Sequence, residues 1–293
     1  MRRILRRLIR KILKLGPESL RKAAVRVHFS RFRKVAIWLF WGEEIIYWKG
    51  VFIKVNPGDM NGYFLYFFGD YSEIEVNKII ERCKQASVFA DVGANIGQMS
   101  LVAAMACPKL EVFAFEADHK IAAQFRANLK LNPDLATRVH LIEKAVSDIN
   151  GSLLFQPTPD IGHIGLGRLA LDGLRHPTLG YKVSSVRLDT FFAAIGKCPD
   201  IVKIDVEGAE IHVLEGMKEL FCKGLPLAIF VEVHATFLGD NSLIFSSKVK
   251  EILENAGYNL FYLKGNNWKS WELSKERSEW LHFHILALRE HKY

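Results

Sequence analysis

The chain has 293 residues, 49% of them hydrophobic and 25% charged, the composition of a globular protein with one large core, or one core and a small appendage. No stretch approaches the roughly 20 apolar residues that span a bilayer. The net charge of +8 is uneven: residues 1–34 hold thirteen Lys and Arg against Glu18 alone, leaving a body with 27 bases and 31 acids.

The leader MRRILRRLIRKILKLG repeats Ile4, Leu5, Leu8, Ile9, Ile12 and Leu13 at helical spacing, with Arg2, Arg3, Arg6, Arg7, Arg10, Lys11 and Lys14 on the other side. Gly16-Pro17 ends the pattern. Such a basic amphipathic helix suits an anionic membrane surface, with Leu and Ile dipped in and Arg near the phosphates. Two other readings stay open, a solvated or self-packed leader and an organellar targeting peptide. The continuous apolar centre of a secretory signal is missing. Without interleaved aromatic residues, nucleic acid is not an expected partner.

Residues 35–70 (AIWLFWGEEIIYWKGVFIKV and beyond) read as strands, with Asn61-Gly62 as a hairpin turn. From residue 72 the pattern SEIEVNKIIERCKQA is helical. An alternation follows: apolar strands over 88–93, 111–117, 139–148, 200–208 and 226–234, with amphipathic helices after all but the third. Asn150-Gly151 turns the third into a short strand, SLLFQ, and NLFYLK and HFHILALR close the chain. This order predicts an α/β fold, a mostly parallel sheet covered on both faces. The division is a leader over 1–34, a small β-rich segment over 35–70 and the main domain over 71–293. Residues 157–184, rich in Gly, Pro and His, and residues 265–280, with three of the six tryptophans, break the rhythm. They read as binding loops or lids, or as tryptophans packed on the sheet edge. Cys83, Cys107, Cys198 and Cys222 match neither a CxxC clamp nor a disulfide framework, so reduced thiols in a cytoplasmic setting are expected.

The stretch VFADVGANIGQMS places a carboxylate, Asp91, where a buried strand meets a glycine turn and a helix start. Strand, glycine turn and helix N-terminus together make a nucleotide-type pocket. The Gly-x-Gly core of a dinucleotide site is missing, and a carboxylate at the mouth of the turn repels a pyrophosphate. It welcomes a cation. S-adenosylmethionine carries a sulfonium and an ammonium but no phosphate, so Asp91 and Asn95 fit that ligand where they would hinder NAD. Glu116 ends the second strand nineteen positions after Gly97, where an acid accepts hydrogen bonds from both ribose hydroxyls.

VFADVGANIGQMSL, VFAFEAD, the AVSD-ING-LLF hairpin, VRLDTFF, IVKIDVEGAE, VLEGM and IFVEVH occur in this order over about residues 68–240. They resemble the FkbM family of S-adenosylmethionine-dependent methyltransferases. The leader and the last 50 residues lie outside the likeness. The resemblance implies a Rossmann-like, seven-stranded class I methyltransferase fold whose last strand runs antiparallel between its neighbours. It implies methylation of a hydroxyl on a sugar, glycan, glycolipid or other natural product. Position by position, it implies that Asp91, Gly93, Ala94, Asn95, Gly97, Glu116 and Ala117 hold the cofactor. It also implies that the turn Lys144-Ala145-Val146 faces the adenine and that Glu75 reaches the methionine end. Enzymes that methylate planar nitrogens commonly carry an Asn-Pro-Pro-Tyr-like turn after the fourth strand; DVEG stands there instead, which favours an aliphatic hydroxyl. Other readings are a methyltransferase for a protein or lipid acceptor and a catalytically silent adaptor at a membrane surface, against which the intact Asp91, Gly93, Gly97 and Glu116 argue.

A hydroxyl needs a base or a metal before it attacks. In KIDVEGAE, two-residue alternation puts Lys203, Asp205 and Glu207 on one side, and Glu232 and His234 share a face in FVEVH. Asp205, Glu232 and His234 are therefore the catalytic candidates. Either His234 or Asp205 takes the proton, or Asp205 with Glu232 or His234 holds a hard cation such as Mg²⁺. The metal-free base is preferred. Plainer readings are a Lys203 ion pair to Asp205 or Glu207, Glu210 at a helix start, Asp189 as the cap of the helix that follows it, solvated His163 and His176, and His282 and His284 at the solvent end of the last strand.

Overall fold

The structure, a computed structural model, describes residues 2–16, 33–69, 72–158, 167–169, 180–235, 241–271 and 282–289. Helix α1 (Arg2–Leu15) comes first, then α2 (Arg33–Phe40), the antiparallel hairpin of β1 (Glu44–Trp48) and β2 (Val51–Val55), and helix α3 (Met60–Phe68). The all-strand expectation for residues 35–70 is thus corrected to a hairpin between two helices. The chain turns at Lys49-Gly50, both at positive φ (46° and 91°), as a two-residue hairpin requires. Asn61-Gly62 lies inside α3, and a Cβ on Gly62 would come within 2.1 Å of the Asn56 carbonyl oxygen. The run MNGYFLYFF has no alternation of polar and apolar residues, and as a helix it buries Tyr63, Leu65, Tyr66 and Phe67. Composition alone reads such an aromatic run as strand; burial on several sides makes it a helix.

Helix α4 (Glu73–Cys83) precedes β3 (Val88–Val92), α5 (Gln98–Ala106), β4 (Glu111–Phe115), α6 (His119–Leu131) and β5 (Val139–Ile142). The strand expected over 139–148 breaks there. Its second half, β6 (Ala145–Val146), joins β7 (Gly151–Gln156), β8 (Arg168–Leu169) and β9 (Tyr181–Val186) in a separate sheet of order β6-β9-β7-β8. Part of the segment 157–184, expected to be a loop, is therefore strand; His163 and His176 lie outside the described residues.

Helix α7 (Leu188–Ala194) leads to β10 (Ile201–Ile204), α8 (Glu210–Glu215), α9 (Lys218–Cys222), β11 (Ala228–His234), α10 (Ser242–Asn255), β12 (Asn259–Lys264), β13 (Asn267–Ser270) and β14 (His282–Leu288). The helix expected after the fourth strand divides at Gly216, where a Cβ would meet the Ser147 carbonyl oxygen at 2.3 Å. Asp189, expected to cap the helix that follows it, lies in the first turn of α7 and instead caps the start of α9, accepting from the Glu219 and Leu220 amides at 3.1 and 2.9 Å.

The main sheet has the order β13-β12-β14-β11-β10-β3-β4-β5. Strand β14 runs antiparallel between β11 and β12, as the class I methyltransferase fold requires. The eighth strand, β13, extends the edge from within the segment 265–280. Trp268 on β13 packs edge-on to Phe230 at 6.3 Å, and buried Trp271 meets Phe283 at 5.3 Å. Alternate residues of the central strands feed two cores. Phe89 and Phe230 face α5, α6 and the hairpin, while Ala90, Ile204 and Val231 face α7 to α10. Among the described residues no helix is long and apolar enough to cross a membrane.

Two asparagines, Asn128 in α6 and Asn132 just past its end, tie the hairpin to this helix and to the loop after β3. Asn128 accepts from the Lys54 amide at 2.7 Å and donates to the Ile96 carbonyl at 2.8 Å. Asn132 accepts from the Phe52 amide at 2.9 Å and donates to the Phe52 carbonyl at 2.7 Å. Asn128 is fully buried, so Asn128→Ala leaves two backbone groups without partners. Urea unfolding is expected to show a loss of about 2 kcal/mol or more.

Candidate active site

A cavity of about 290 Å³ opens at the carboxyl ends of β3, β4, β10 and β11, the usual place for a ligand in an open α/β sheet. Of the cofactor candidates, Asp91, Gly93, Ala94, Asn95, Glu116, Ala117 and Ala145 line it, as do the catalytic candidates Asp205, Glu232 and His234. Gly97 and Glu75 are not on the wall. Gly97, at φ 84°, precedes α5 and leaves room for the Phe125 ring, which a Cβ would meet at 2.1 Å. Glu75 is buried behind the wall, 3.4 Å from His284 Nδ1.

The glycine turn is shaped by its neighbours as much as by a ligand. Gly93 has φ 80°, and a Cβ there would come within 1.8 Å of the Asp205 carbonyl oxygen. Its amide and that of Ala94 both donate to the Phe115 carbonyl, at 3.0 and 2.9 Å. Glu116 then clamps two loops, accepting from the Asn95 amide at 2.9 Å and the Asp118 amide at 2.8 Å. Burial pushes the Glu116 carboxyl up to about 7, against the pull of these amides.

Asp91 forms the floor. It is fully buried, and its Oδ2 accepts from Ser100 Oγ at 2.5 Å while Oδ1 has no hydrogen-bond partner. Burial pushes its carboxyl up, opposed by the Lys203 charge and the Ser100 hydrogen bond. Lys203 stands beside it in the parallel register of β3 and β10, with Nζ donating to Asp205 Oδ2 at 2.9 Å. The plainer reading of this lysine, an ion pair to Asp205, therefore holds. Burial disfavours the ammonium, but Asp205, Asp91, Glu75 and Glu232 together hold Lys203 above its ordinary value.

Sequence alternation puts Glu207 beside Asp205, but β10 ends at Ile204 and Glu207 takes φ 53°. That left-handed turn directs Glu207 to His234. Around the His234 ring three glutamates converge: Glu210 Oε1 lies 3.0 Å from Nδ1, and Glu232 Oε1 and Glu207 Oε1 lie 3.5 and 3.6 Å from Nε2. Glu210 does more than favour a helix start, since its Oε1 also accepts from the Gly208 amide at 3.0 Å. Burial alone would lower the His234 pKa; hydrogen bonds to Glu210 and Glu232 and the charges of Glu207 and Asp205 push it up to about 12. His234 is thus an imidazolium in this setting. Burial pushes Glu207 up to about 8, with the Asp205, Glu232 and Glu210 charges adding to it and His234 opposing.

The last strand brings two histidines that sequence reasoning placed at its solvent end. In the antiparallel register of β11 and β14, His282 stands opposite His234 and His284 opposite Glu232. His282 is half exposed yet lines the cavity, with Nε2 2.7 Å from Glu232 Oε1. For His284 the expectation is corrected: it is largely buried, and although burial works to lower its pKa, Glu75 and Glu232 raise it to about 9. The signal was present as two period-two pairs, ExH in FVEVH and HxH in HFHIL, but their antiparallel register is needed to join them.

A match to the methyltransferase FkbM domain covers residues 91–260, more than half of the chain. The chain belongs to the FkbM methyltransferase family. Two curated relatives of this FkbM protein are methyltransferases by name. The 2-O-methyltransferase NoeI of Sinorhizobium fredii (strain NBRC 101917 / NGR234) is 31% identical over 153 residues, 48% of this chain and 61% of that protein. The hexuronic acid methyltransferase AglP of Haloferax volcanii is 27% identical over 162 residues, 55% of this chain and 61% of that protein. The FkbM chain thus spans about three fifths of the length of the curated relatives it matches. Among solved structures, the methyltransferase FkbM from Methylobacillus flagellatus KT is similar with a TM-score of 0.44 and 14% identity, covering 69% of this chain and 43% of that one.

The raised Glu207 pKa has a sign that can be checked. The folded value of about 8 exceeds the ordinary 4.5, so the unfolded chain ionises first and stability is lost as pH rises between these values. Glu207→Gln is expected to raise Tm by about 3 °C or more at pH 8 and to give no gain near pH 4.5, as read by scanning calorimetry.

Proposed function

We propose that this FkbM protein transfers the methyl group of S-adenosylmethionine to a hydroxyl of a sugar, glycan, glycolipid or related natural product. One observation carries the reading: the cavity joins an acid-lined nucleoside pocket, with Asp91 and Glu116, to a carboxylate–histidine cluster at its inner end. The name of AglP supports a sugar as the acceptor, and that of NoeI supports an oxygen as the methylated atom.

The residues fit the cofactor. Asp91 Oδ1, buried and without a partner, meets a ligand that carries positive charge, and Glu116 is placed for the two ribose hydroxyls. Ala117 and the turn at Ala145 offer apolar walls to the adenine. When bound, the sulfonium supplies a methyl group open to in-line attack. The chain must then align the acceptor and remove its proton.

Of the cavity carboxylates, Asp205 is paired with Lys203. Burial works to raise Glu232, yet hydrogen bonds from His234 and His282 and the His284 charge hold it well below its ordinary value. Glu207 keeps a buried oxygen, Oε2, without a partner, and burial pushes its pKa up to about 8, into the range that suits a general base at neutral pH. In this reading Glu207 is the general base and His234, already protonated, is the cation that steadies the developing alkoxide. This revises the expectation that His234 or Asp205 takes the proton.

Mg²⁺ is a poor match to the donors Asp205, Glu232 and His234. A hard cation asks for several oxygen ligands, whereas Asp205 is engaged by an ammonium and the nearby groups are imidazoles already bridged to glutamates.

Titration calorimetry with S-adenosylmethionine tests the cofactor half. Affinity is expected to rise from pH 6 to pH 8 as Glu116 ionises around 7, and Glu116→Gln is expected to weaken binding about tenfold and flatten that pH dependence. No heat from the folded protein would leave the adaptor reading. Transfer of labelled methyl to a panel of hexosides and hexuronides tests the rest. Glu207→Gln is expected to lower kcat by about 10²-fold or more with cofactor affinity unchanged; equal kcat would remove Glu207 as the base.

A further inference from the structure

Helix α1 is amphipathic in an arrangement that sequence periodicity only half describes. Its inward face carries Arg6, Ile9, Arg10 and Leu13. Arg6 is 5% exposed and donates to Glu44 Oε1 from Nε and Nη2, at 3.3 and 2.9 Å, and to the Trp41 carbonyl at 3.0 Å. Arg10 lies 4.6 Å over the Tyr66 ring of α3, and Leu13 is buried in the main core. The self-packed reading of the leader is thus right for one face.

The opposite face is different. Ile4, Leu8, Ile12 and Leu15 recur at one-turn spacing and are 73%, 54%, 49% and 78% exposed. Arg3, Arg7 and Lys11, one residue before the first three, run as a row along its edge; the Arg3 and Arg7 side chains are 64% and 63% exposed, with Nε 3.5 and 3.9 Å from Glu44 Oε2. Trp38 of α2 is a further exposed apolar side chain at this end of the protein, 58% exposed, with the Arg2 guanidinium 3.7 Å over its ring. No acid stands on α1. A row of aliphatic side chains flanked by guanidinium groups and an amphipathic indole is the chemistry of the boundary between lipid headgroups and acyl chains.

We propose that α1, with Trp38, docks the protein on an anionic lipid surface, lying in its plane. The charge pattern favours lipid over a second copy of the chain, because two such faces would bring Arg3, Arg7 and Lys11 against their own equivalents. The Arg6–Glu44 pair fixes the helix to the body before any membrane is met, so docking does not have to order it. Helix α1 packs on α3, whose first residues Met60 and Asn61 line the active-site cavity. A nine-residue helix spans about 13 Å, so one short element, α3, separates the helix that bears the lipid face from the cavity wall.

The test is sedimentation of the full chain with vesicles of phosphatidylcholine containing about 30% phosphatidylglycerol, and with phosphatidylcholine alone, at about 0.1 M salt. Binding to the anionic vesicles is expected to exceed that to neutral ones about tenfold or more and to weaken with added salt. The double variant Leu8→Glu/Ile12→Glu alters only exposed side chains; it is expected to keep its Tm and lose vesicle binding about tenfold or more. No sedimentation with anionic vesicles, or equal sedimentation of the double variant, overturns the proposal. So does a dimer in analytical ultracentrifugation that the double variant converts to monomer while vesicle binding is absent.

Discussion

The ammonium of Lys203 is the charge on which the active site depends. It sits on a central strand, 6% exposed, beside Asp91 and bonded to Asp205, with Glu75 and Glu232 near enough to hold its proton. Without it, carboxylates from three strands and a helix would face one another in a region of low polarity, where unpaired charge is costly. One cation in their midst lets β3, β10 and β11 bring acidic side chains together at their carboxyl ends. The cavity owes its acidity to a lysine.

A second tier of compensation surrounds His234. Glu210 fixes one ring nitrogen and leaves the other toward the cavity, where Glu207 and Glu232 approach. The two histidines of β14 then offset Glu232 from the neighbouring strand. Glu207 approaches His234 with one oxygen and keeps the other without a partner, at a left-handed backbone position. Strain and an unspent hydrogen-bonding site at one residue are characteristic of a functional group rather than a structural one.

Much of this was legible in the residues. Buried parallel strands announce themselves as apolar runs, and the acids at the carboxyl ends of β3 and β4, Asp91 and Glu116, stand out because charge is rare at such places. The FkbM resemblance supplied the antiparallel last strand. What stayed hidden depends on distance in sequence. His284 meets Glu75 and Glu232 only once β14 is paired with β11 in its actual register, and Glu207 faces His234 only because the chain turns left-handed after Asp205. The segment 35–70 misled for a different reason. Aromatic and β-branched residues suit a strand or a fully buried helix, and only tertiary packing decides; Asn61-Gly62, a turn signal in isolation, was absorbed into α3 by close packing on Asn56.

The asparagine pair on α6 has a consequence for where this protein can be cut. Asn128 bonds the hairpin with one end of its amide and the loop after β3 with the other. A chain begun at residue 71 would take the Lys54 amide from Asn128 and both Phe52 groups from Asn132, and would uncover the apolar flank of α5. The amino-terminal unit is therefore a brace for the nucleoside loop, and the smallest piece expected to keep a well-formed pocket starts before β1.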